Sequence, residues 1–394
     1  MKRSLFVLQG GGPTPVINAT LAGIAETAGT QFDRLWGLRH SFEGREGAEV
    51  LDLSYLIDSR VDKSLLDSLA ATPGALLGSS RKKVVEQDLD QVLQQMLAMG
   101  SDALIGIGGN GTMAALSMMV EYAAANGHDI RVIGAPKTVD NDLPGVYAAP
   151  GYGSSARFVS MAVRDFDRDF QAMSTFDDVT IFETMGRNTG WIAAASVLLK
   201  VGDSAPNIIL VPERAVDETA LLEEIRSQHA ERGSVFIVVN EMLNSSDGSL
   251  IGETFQNGPT DSLGRKMYSL SFGTGNYLAH KIWSEFGLQS RCLRPGNLAR
   301  AMSFCVSEPD RLLARRTGRA AVKALTNAQG SGQMVTISAN LEFGLQPFSD
   351  CTGVRSVPDE FLLPGMAGTQ EAFHTYARPL IGMVEPLFSL ESLR

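Results

Sequence analysis

The chain has 394 residues, more than one hydrophobic core usually serves, so two lobes are expected. Its 34 Lys and Arg against 44 Asp and Glu leave a net charge of −10, which argues against nucleic acid or an anionic membrane as the main partner, so any phosphate-binding charge must be local. Three scattered cysteines, Cys292, Cys305 and Cys351, suggest neither a disulfide framework nor a zinc cluster, and no signal peptide or apolar run of about 20 residues is found; a reducing cytoplasm is expected.

In chain order, short apolar runs bounded by Gly or Pro predict strands at 4–9, 103–109, 131–137, 178–184, 207–213, 234–241 and 333–338. Helical patterns fall near 16–28, 86–99, 111–126, 153–172, 189–200, 217–232 and 308–328. This alternation predicts an α/β protein of two Rossmann-like lobes, with parallel-rich sheets flanked by helices and ligands at the carboxyl ends of the strands. No linker divides the chain, so 1–394 reads as one unit of interleaved lobes. The first covers about 1–145 and is completed by later segments, the second covers about 146–340, and a tail over 341–394 wraps back over the body. The polar run 244–264 is expected to be a long exposed loop or hairpin.

Three strand ends carry unusual clusters. "QGGGPTPVINAT" places Gly10, Gly11 and Gly12 between a strand and a helix, where backbone N–H groups and the helix dipole suit an anion; a tight turn without ligand is the alternative. "GIGGNGTMAAL" repeats that logic at Gly108, Gly109, Asn110, Gly111 and Thr112. "GAPKTVDNDLPG" is the most specific, because Pro144 keeps Lys137, Thr138, Asp140, Asn141 and Asp142 out of a helix and at the strand end. A cation for a transferred phosphate, a carboxylate to accept a hydroxyl proton and a second for hydrated Mg²⁺ are what phosphoryl transfer requires; an Asx turn is the plainer reading.

Further clusters are open to two readings. Arg187 in "FETMGRNTGW" suits a substrate phosphate or hydroxyl, or a surface ion pair. Arg291, Arg294 and Arg300 in "SRCLRPGNLARAM" suit an anionic substrate or simply solvent. Arg81, Lys82 and Lys83 in "LLGSSRKK" either close over a phosphate chain or form a solvated basic turn. The five histidines lie outside these clusters and no Ser-centred GxSxG occurs, which argues against histidine-based hydrolysis.

Taken together, "GGGPTPVIN", "GGNGT", "PKTVDND", "ETMGR", "RPGNLAR" and "ARPLIG" resemble the phosphofructokinase family, in particular its pyrophosphate-dependent branch, over about residues 4–383. The resemblance implies transfer of a phosphoryl group from pyrophosphate or ATP to the 1-hydroxyl of fructose 6-phosphate, with Mg²⁺, in a homodimer or homotetramer. By position it implies Asp140 as general base and Lys137 as the transition-state cation. Thr138, Val139, Asp140, Met185, Gly186, Arg187, Glu241, Arg291, Asn297 and Arg300 would bind the sugar phosphate, with Arg291 near the 6-phosphate. Gly11, Arg81, Gly108, Gly109, Asn110, Gly111 and Thr112 would hold the donor, and Asn110 and Asp142 the metal.

The sequence departs from the family pattern at four points. Val16 replaces a usual Gly, Asn110 replaces the Asp of Gly-Gly-Asp, Gly111 matches many ATP users, and Asp178 falls where a neighbouring subunit commonly supplies a basic residue to a sugar phosphate. These departures leave two rivals, a kinase of a different sugar or polyol and a catalytically silent phosphosugar-binding regulatory subunit. NAD kinase, which shares only the second glycine loop, ranks last.

Overall fold

The computed structural model describes residues 3–43, 49–252, 273–327, 331–364 and 368–388. Its strands and helices alternate from the start: β1 (Ser4–Gln9), α1 (Ile17–Ala28), β2 (Arg34–Leu38), β3 (Val50–Asp52), α2 (Lys63–Ala71), α3 (Glu86–Ala98), β4 (Ser101–Gly108), α4 (Asn110–Ala125) and β5 (Arg131–Pro136). Next come α5 (Tyr152–Ala172), β6 (Val179–Thr184), α6 (Trp191–Ala195), β7 (Ile208–Leu210), α7 (Glu218–Arg232), β8 (Val235–Asn240), α8 (Thr274–Phe286) and β9 (Ser290–Leu293). The chain closes with α9 (Glu308–Thr326), β10 (Gln333–Ile337), β11 (Phe343–Pro347) and α10 (Glu371–Ile381).

Two sheets result. The larger runs β11-β10-β5-β4-β1-β2-β3, parallel except for β11 and β3 at its two edges; the smaller runs β7-β8-β6-β9 and is parallel throughout. The fold is therefore mixed α/β with parallel-rich sheets flanked by helices. Strands β1, β6, β7 and β8 are buried at every residue, as expected when helices cover both faces. Because β5, β4 and β1 are neighbours, the three clusters that follow them emerge side by side; β6 and β8 do the same for the second sheet.

All seven predicted strands form, and six of the seven predicted helices differ from prediction by at most two residues at either end. The exception is the helix expected over 189–200, which stops after Ala195 and continues as turns. Strands β2, β3, β9 and β11 and helices α2, α8 and α10 were not predicted. β11 holds Gly344 and Pro347 and sits at an edge, where a missing N–H costs no ladder bond. α10 carries Pro379 in its last turn. Of the run 244–264, an antiparallel bridge between Asn244 and Leu250 closes a short turn, and 253–264 lie outside the described residues.

The late elements return to the early ones. β10 pairs with β5, and α9 crosses α1 so closely that a Cβ on Gly23 or Gly318 would collide with the facing helix backbone. α10 lies against α5 and α9. Among the described residues no helix is long and apolar enough to cross a membrane.

Candidate active site

Three turns at the carboxyl ends of β1, β4 and β5 form the first wall of a cleft. The turn over 10–12 can approach its neighbours because it lacks side chains: a Cβ at Gly10 would strike Thr112, one at Gly12 would strike Arg300, and Gly11 has φ 74°. Ser79 Oγ donates to the Gly11 carbonyl and Gly11 N donates to Ser80 O at 3.3 Å, so the 78–81 segment lies against this turn. A hypothetical Cβ at Gly12 lies 3.5 Å from Arg81 Nη2. Of the basic run, Arg81 thus faces the cleft while Lys82 turns away to bond Asp88 at 2.5 Å. The second turn, over 108–112, opens α4, whose N-terminal N–H groups and dipole favour an anion.

Lys137 crosses behind the first turn. Its side chain is buried, and Nζ donates to Gly10 O at 2.7 Å and Gly12 O at 2.6 Å. Two of its three donors are thereby committed, and the third remains for an anion seated on the turn. Burial, reinforced by the Arg300 charge, pushes its pKa down to about 7. Arg81, Arg300 and Lys137 therefore concentrate positive charge locally in a chain of net charge −10.

The loop over 137–142 carries the carboxylates. Thr138 Oγ1 accepts from Asp140 N and donates to Asp142 Oδ1, both at 3.1 Å, so this hydroxyl organises the loop. Val139 is buried in the core that lies against the second sheet. Asp140 Oδ1 is buried without a hydrogen-bond partner. Burial, followed by the charges of Asp142 and Glu241, pushes the Asp140 pKa up to about 7, opposed by Arg187 and Arg300. Asn110 Nδ2 donates to Asp142 Oδ2 at 3.1 Å, while Asn110 Oδ1 is also buried and unpartnered.

The opposite wall follows β6 and β8. Glu241 Oε1 accepts from Gly186 N at 3.3 Å and Arg187 N at 3.2 Å, which supports the turn where Arg187 adopts φ 47° and Gly186 φ 138°. Burial raises the Glu241 pKa. Thr189 Oγ1 donates to Asp140 O at 3.0 Å and so ties the two walls together. Met185 packs on the core beside this turn. Arg300 ends a short 3-10 turn, Gly296–Arg300, and faces Gly12; Asn297 on the same turn is exposed.

Arg291 does not join this cleft within one chain. Its β9 register pairs it with Thr180, about 16 Å along β6 from Met185, at the amino end of the sheet. There Arg291 forms an ion pair with Asp177, Nε lying 2.8 Å from Oδ1. Asp178 is at the same end, with its carboxylate bonded to His229 Nε2 at 3.0 Å and to Gln289 N at 2.7 Å. Arg294, left open from the sequence, donates to Glu183 at 2.7 Å. Among the described residues no cluster of three His, Cys, Asp or Glu forms a metal cage.

A parallel α/β scaffold that sets a cation-lined pair of glycine turns against a carboxylate with an unpartnered oxygen defines a phosphoryl-transfer protein. A sequence model described as "Phosphofructokinase" matches residues 4–325. The chain is 32% identical over 362 residues to a sulfofructose kinase of Alkalicoccus urumqiensis, covering 90% of each chain. It is 33% identical over 327 residues to a pyrophosphate–fructose 6-phosphate 1-phosphotransferase of Xanthomonas campestris pv. campestris, covering 81% of this chain and 76% of the relative. The crystal structure of a pyrophosphate-dependent phosphofructokinase from Marinobacter aquaeolei superimposes with a TM-score of 0.82 at 25% identity, over 98% of this chain and 94% of that one. The chain belongs to the phosphofructokinase family and is a phosphotransferase of that fold.

Proposed function

We propose that the chain transfers a phosphoryl group from pyrophosphate to the 1-hydroxyl of fructose 6-phosphate. The observation that carries this reading is Lys137, held by two glycine-turn carbonyls one loop away from the unpartnered Asp140 oxygen. A diphosphate on the 10–12 and 108–112 turns meets Arg81, Arg300 and the third Lys137 donor. Asp140 accepts the proton of the acceptor hydroxyl as its oxygen bonds phosphorus, the bridging P–O bond breaks and inorganic phosphate leaves. Lys137 offsets the charge that spreads over the transferring group. Arg187, Gly186 and Glu241 hold the sugar.

Magnesium fits the residues present: the Asp142 carboxylate and the unpartnered Asn110 oxygen would hold it beside the donor. When bound, it neutralises donor charge. The proposed setting is a cytoplasmic homodimer or homotetramer.

The test is a coupled assay of the purified protein that crosses pyrophosphate and ATP with fructose 6-phosphate, unphosphorylated sugars and polyols, and sulfofructose. Turnover is expected to be greatest with pyrophosphate and fructose 6-phosphate. Faster turnover with ATP would replace the donor, faster turnover with another acceptor would replace the sugar, and none with any pair would remove the reading.

A further inference from the structure

Asn141, between the two carboxylates of the catalytic loop, is buried and adopts φ 55°, a left-handed conformation that Asn tolerates better than other side-chain-bearing residues. Four hydrogen bonds hold this corner. Asn141 Nδ2 donates to Tyr376 Oη at 2.7 Å, and Asn141 Oδ1 accepts from Ala149 N at 2.9 Å. The Asn141 carbonyl accepts from Arg355 Nη1 at 3.2 Å, and the Asp142 carbonyl accepts from Arg355 N at 2.8 Å. Three of the four come from Arg355 and Tyr376, both beyond the residues 4–325 that match the family model.

Arg355 also reaches the sugar-side wall. Its guanidinium carbon lies 4.2 Å from the centre of the Trp191 ring, and its carbonyl accepts from Trp191 Nε1 at 2.9 Å. Trp191 is fully buried and opens α6 directly after the Arg187 turn. Two residues further on, Val357 N donates to Glu213 Oε1 at 2.9 Å, and the same carboxylate accepts from Gly190 N. One stretch of tail thus bonds to both walls of the cleft.

We propose that Arg355 and Tyr376 are positioning residues, which fix the 137–142 loop relative to the 185–190 turn so that Asp140 faces the acceptor hydroxyl. This rests on the reading of Asp140 as the general base. Arginine suits the role because its planar face covers Trp191 while an edge N–H reaches a carbonyl, which a lysine ammonium cannot reproduce. The Tyr376 hydroxyl accepts from Asn141 and donates to Tyr147 O at 2.7 Å, so its loss leaves a buried amide and a carbonyl each short of a partner.

The test compares the full chain with Tyr376→Phe, Arg355→Lys and Arg355→Ala. It measures melting temperature, amide hydrogen exchange over 137–142, and kcat and KM separately. Exchange at 137–142 is expected to accelerate about tenfold while that of β1 and β8 stays unchanged, since local opening is decided by local bonds. kcat is expected to fall about tenfold or more with donor KM within about twofold, because a small misplacement of a reacting group costs rate rather than binding. Unchanged exchange at 137–142, or a kcat that falls only with the folded fraction, would overturn the proposal. If the unaltered protein turns over no substrate pair, the functional reading fails, while the exchange measurement still decides whether the tail holds the loop.

Discussion

The two loops that face each other across the cleft share a backbone device and differ in what holds it. Each carries a non-glycine residue at positive φ, Asn141 at 55° and Arg187 at 47°. Around Asn141 the partners are the Ala149 backbone amide, the Tyr376 phenol and the Arg355 guanidinium. Around Arg187 the partner is the Glu241 carboxylate, whose pKa burial raises. The Asn141 corner is therefore held by a phenol, a backbone amide and a guanidinium, whereas the Arg187 turn is held by the oxygen of one acid. That acid also helps to raise the pKa of Asp140, so the proposed sugar site and the proposed base are electrostatically linked.

Removing the proposed base gives the largest expected effect. Asp140→Asn should lower kcat by about 10² or more, since loss of a general base typically costs that much. Stability should move the other way. Folding raises the Asp140 pKa to about 7, so above pH 7 the folded state carries a charge that it disfavours. Between there and the unfolded value of about 4 this penalty declines, and below that value it is absent. The variant should therefore melt higher than the parent at pH 8 and equally at pH 4; a lower melting temperature at pH 8 would mean that the carboxylate is stabilised where it sits.

Next in size is Lys137→Met, which keeps the stem but removes the ammonium from between Gly10 O and Gly12 O. Loss of one charge-stabilising donor costs about 10²–10³ in turnover. The loss should be about tenfold greater with pyrophosphate than with ATP if Lys137 is a determinant of donor choice. Equal losses with both donors would leave it a general cation only.

How much of this was legible beforehand follows from distance along the chain. β1, β4, β5, β6 and β8 are apolar runs ended by glycine or polar clusters, so both the strands and the groups at their carboxyl ends could be read locally. Lys137, Asp140, Asp142, Asn110 and the glycine turns are each within a few residues of such an end. Arg355 and Tyr376 gave no signal, because the group they bond is remote in sequence: Asn141 is 214 residues from Arg355 and 235 from Tyr376. Arg355 lies in a Pro-flanked irregular stretch and Tyr376 within α10, neither of them at a strand end where a site can be read locally. Arg291 shows the reverse problem. Its arginine-rich motif was legible, but the register of β9 places it at the amino end of the sheet, and register is a property of the assembled strands.

A smaller effect sharpens the comparison between the loops. Glu241→Gln retains an oxygen that accepts from Gly186 N and Arg187 N, yet removes a negative charge that raises the Asp140 pKa. Asp140 should then lose its proton at lower pH, so the acidic limb of the kcat/KM profile should move to lower pH with the sugar turn intact. A limb that stays in place would show that burial and Asp142 alone set the base.

The smallest expected effect concerns the metal side of the catalytic loop. Asn110 donates to Asp142 and leaves its own oxygen unpartnered, so this pair offers one charge where two carboxylates would offer two. Hard cations bind more tightly as ligand charge increases, so Asn110→Asp should lower the Mg²⁺ concentration for half-maximal activity several-fold, less than the roughly 10–100-fold by which neighbouring groups can tune metal sites. The gain is limited because the new carboxylate loses the donor that now bonds Asp142 and places two anions side by side. In the metal-free protein that repulsion should instead raise the Asp140 pKa further, since Asp142 already does so. The variant should thus show a stronger Mg²⁺ response and a base that needs higher pH when Mg²⁺ is scarce. A Mg²⁺ titration at pH 6.5 and pH 8 separates the two effects, and an unchanged response at both would mean that the residue 110 side chain does not sense the metal.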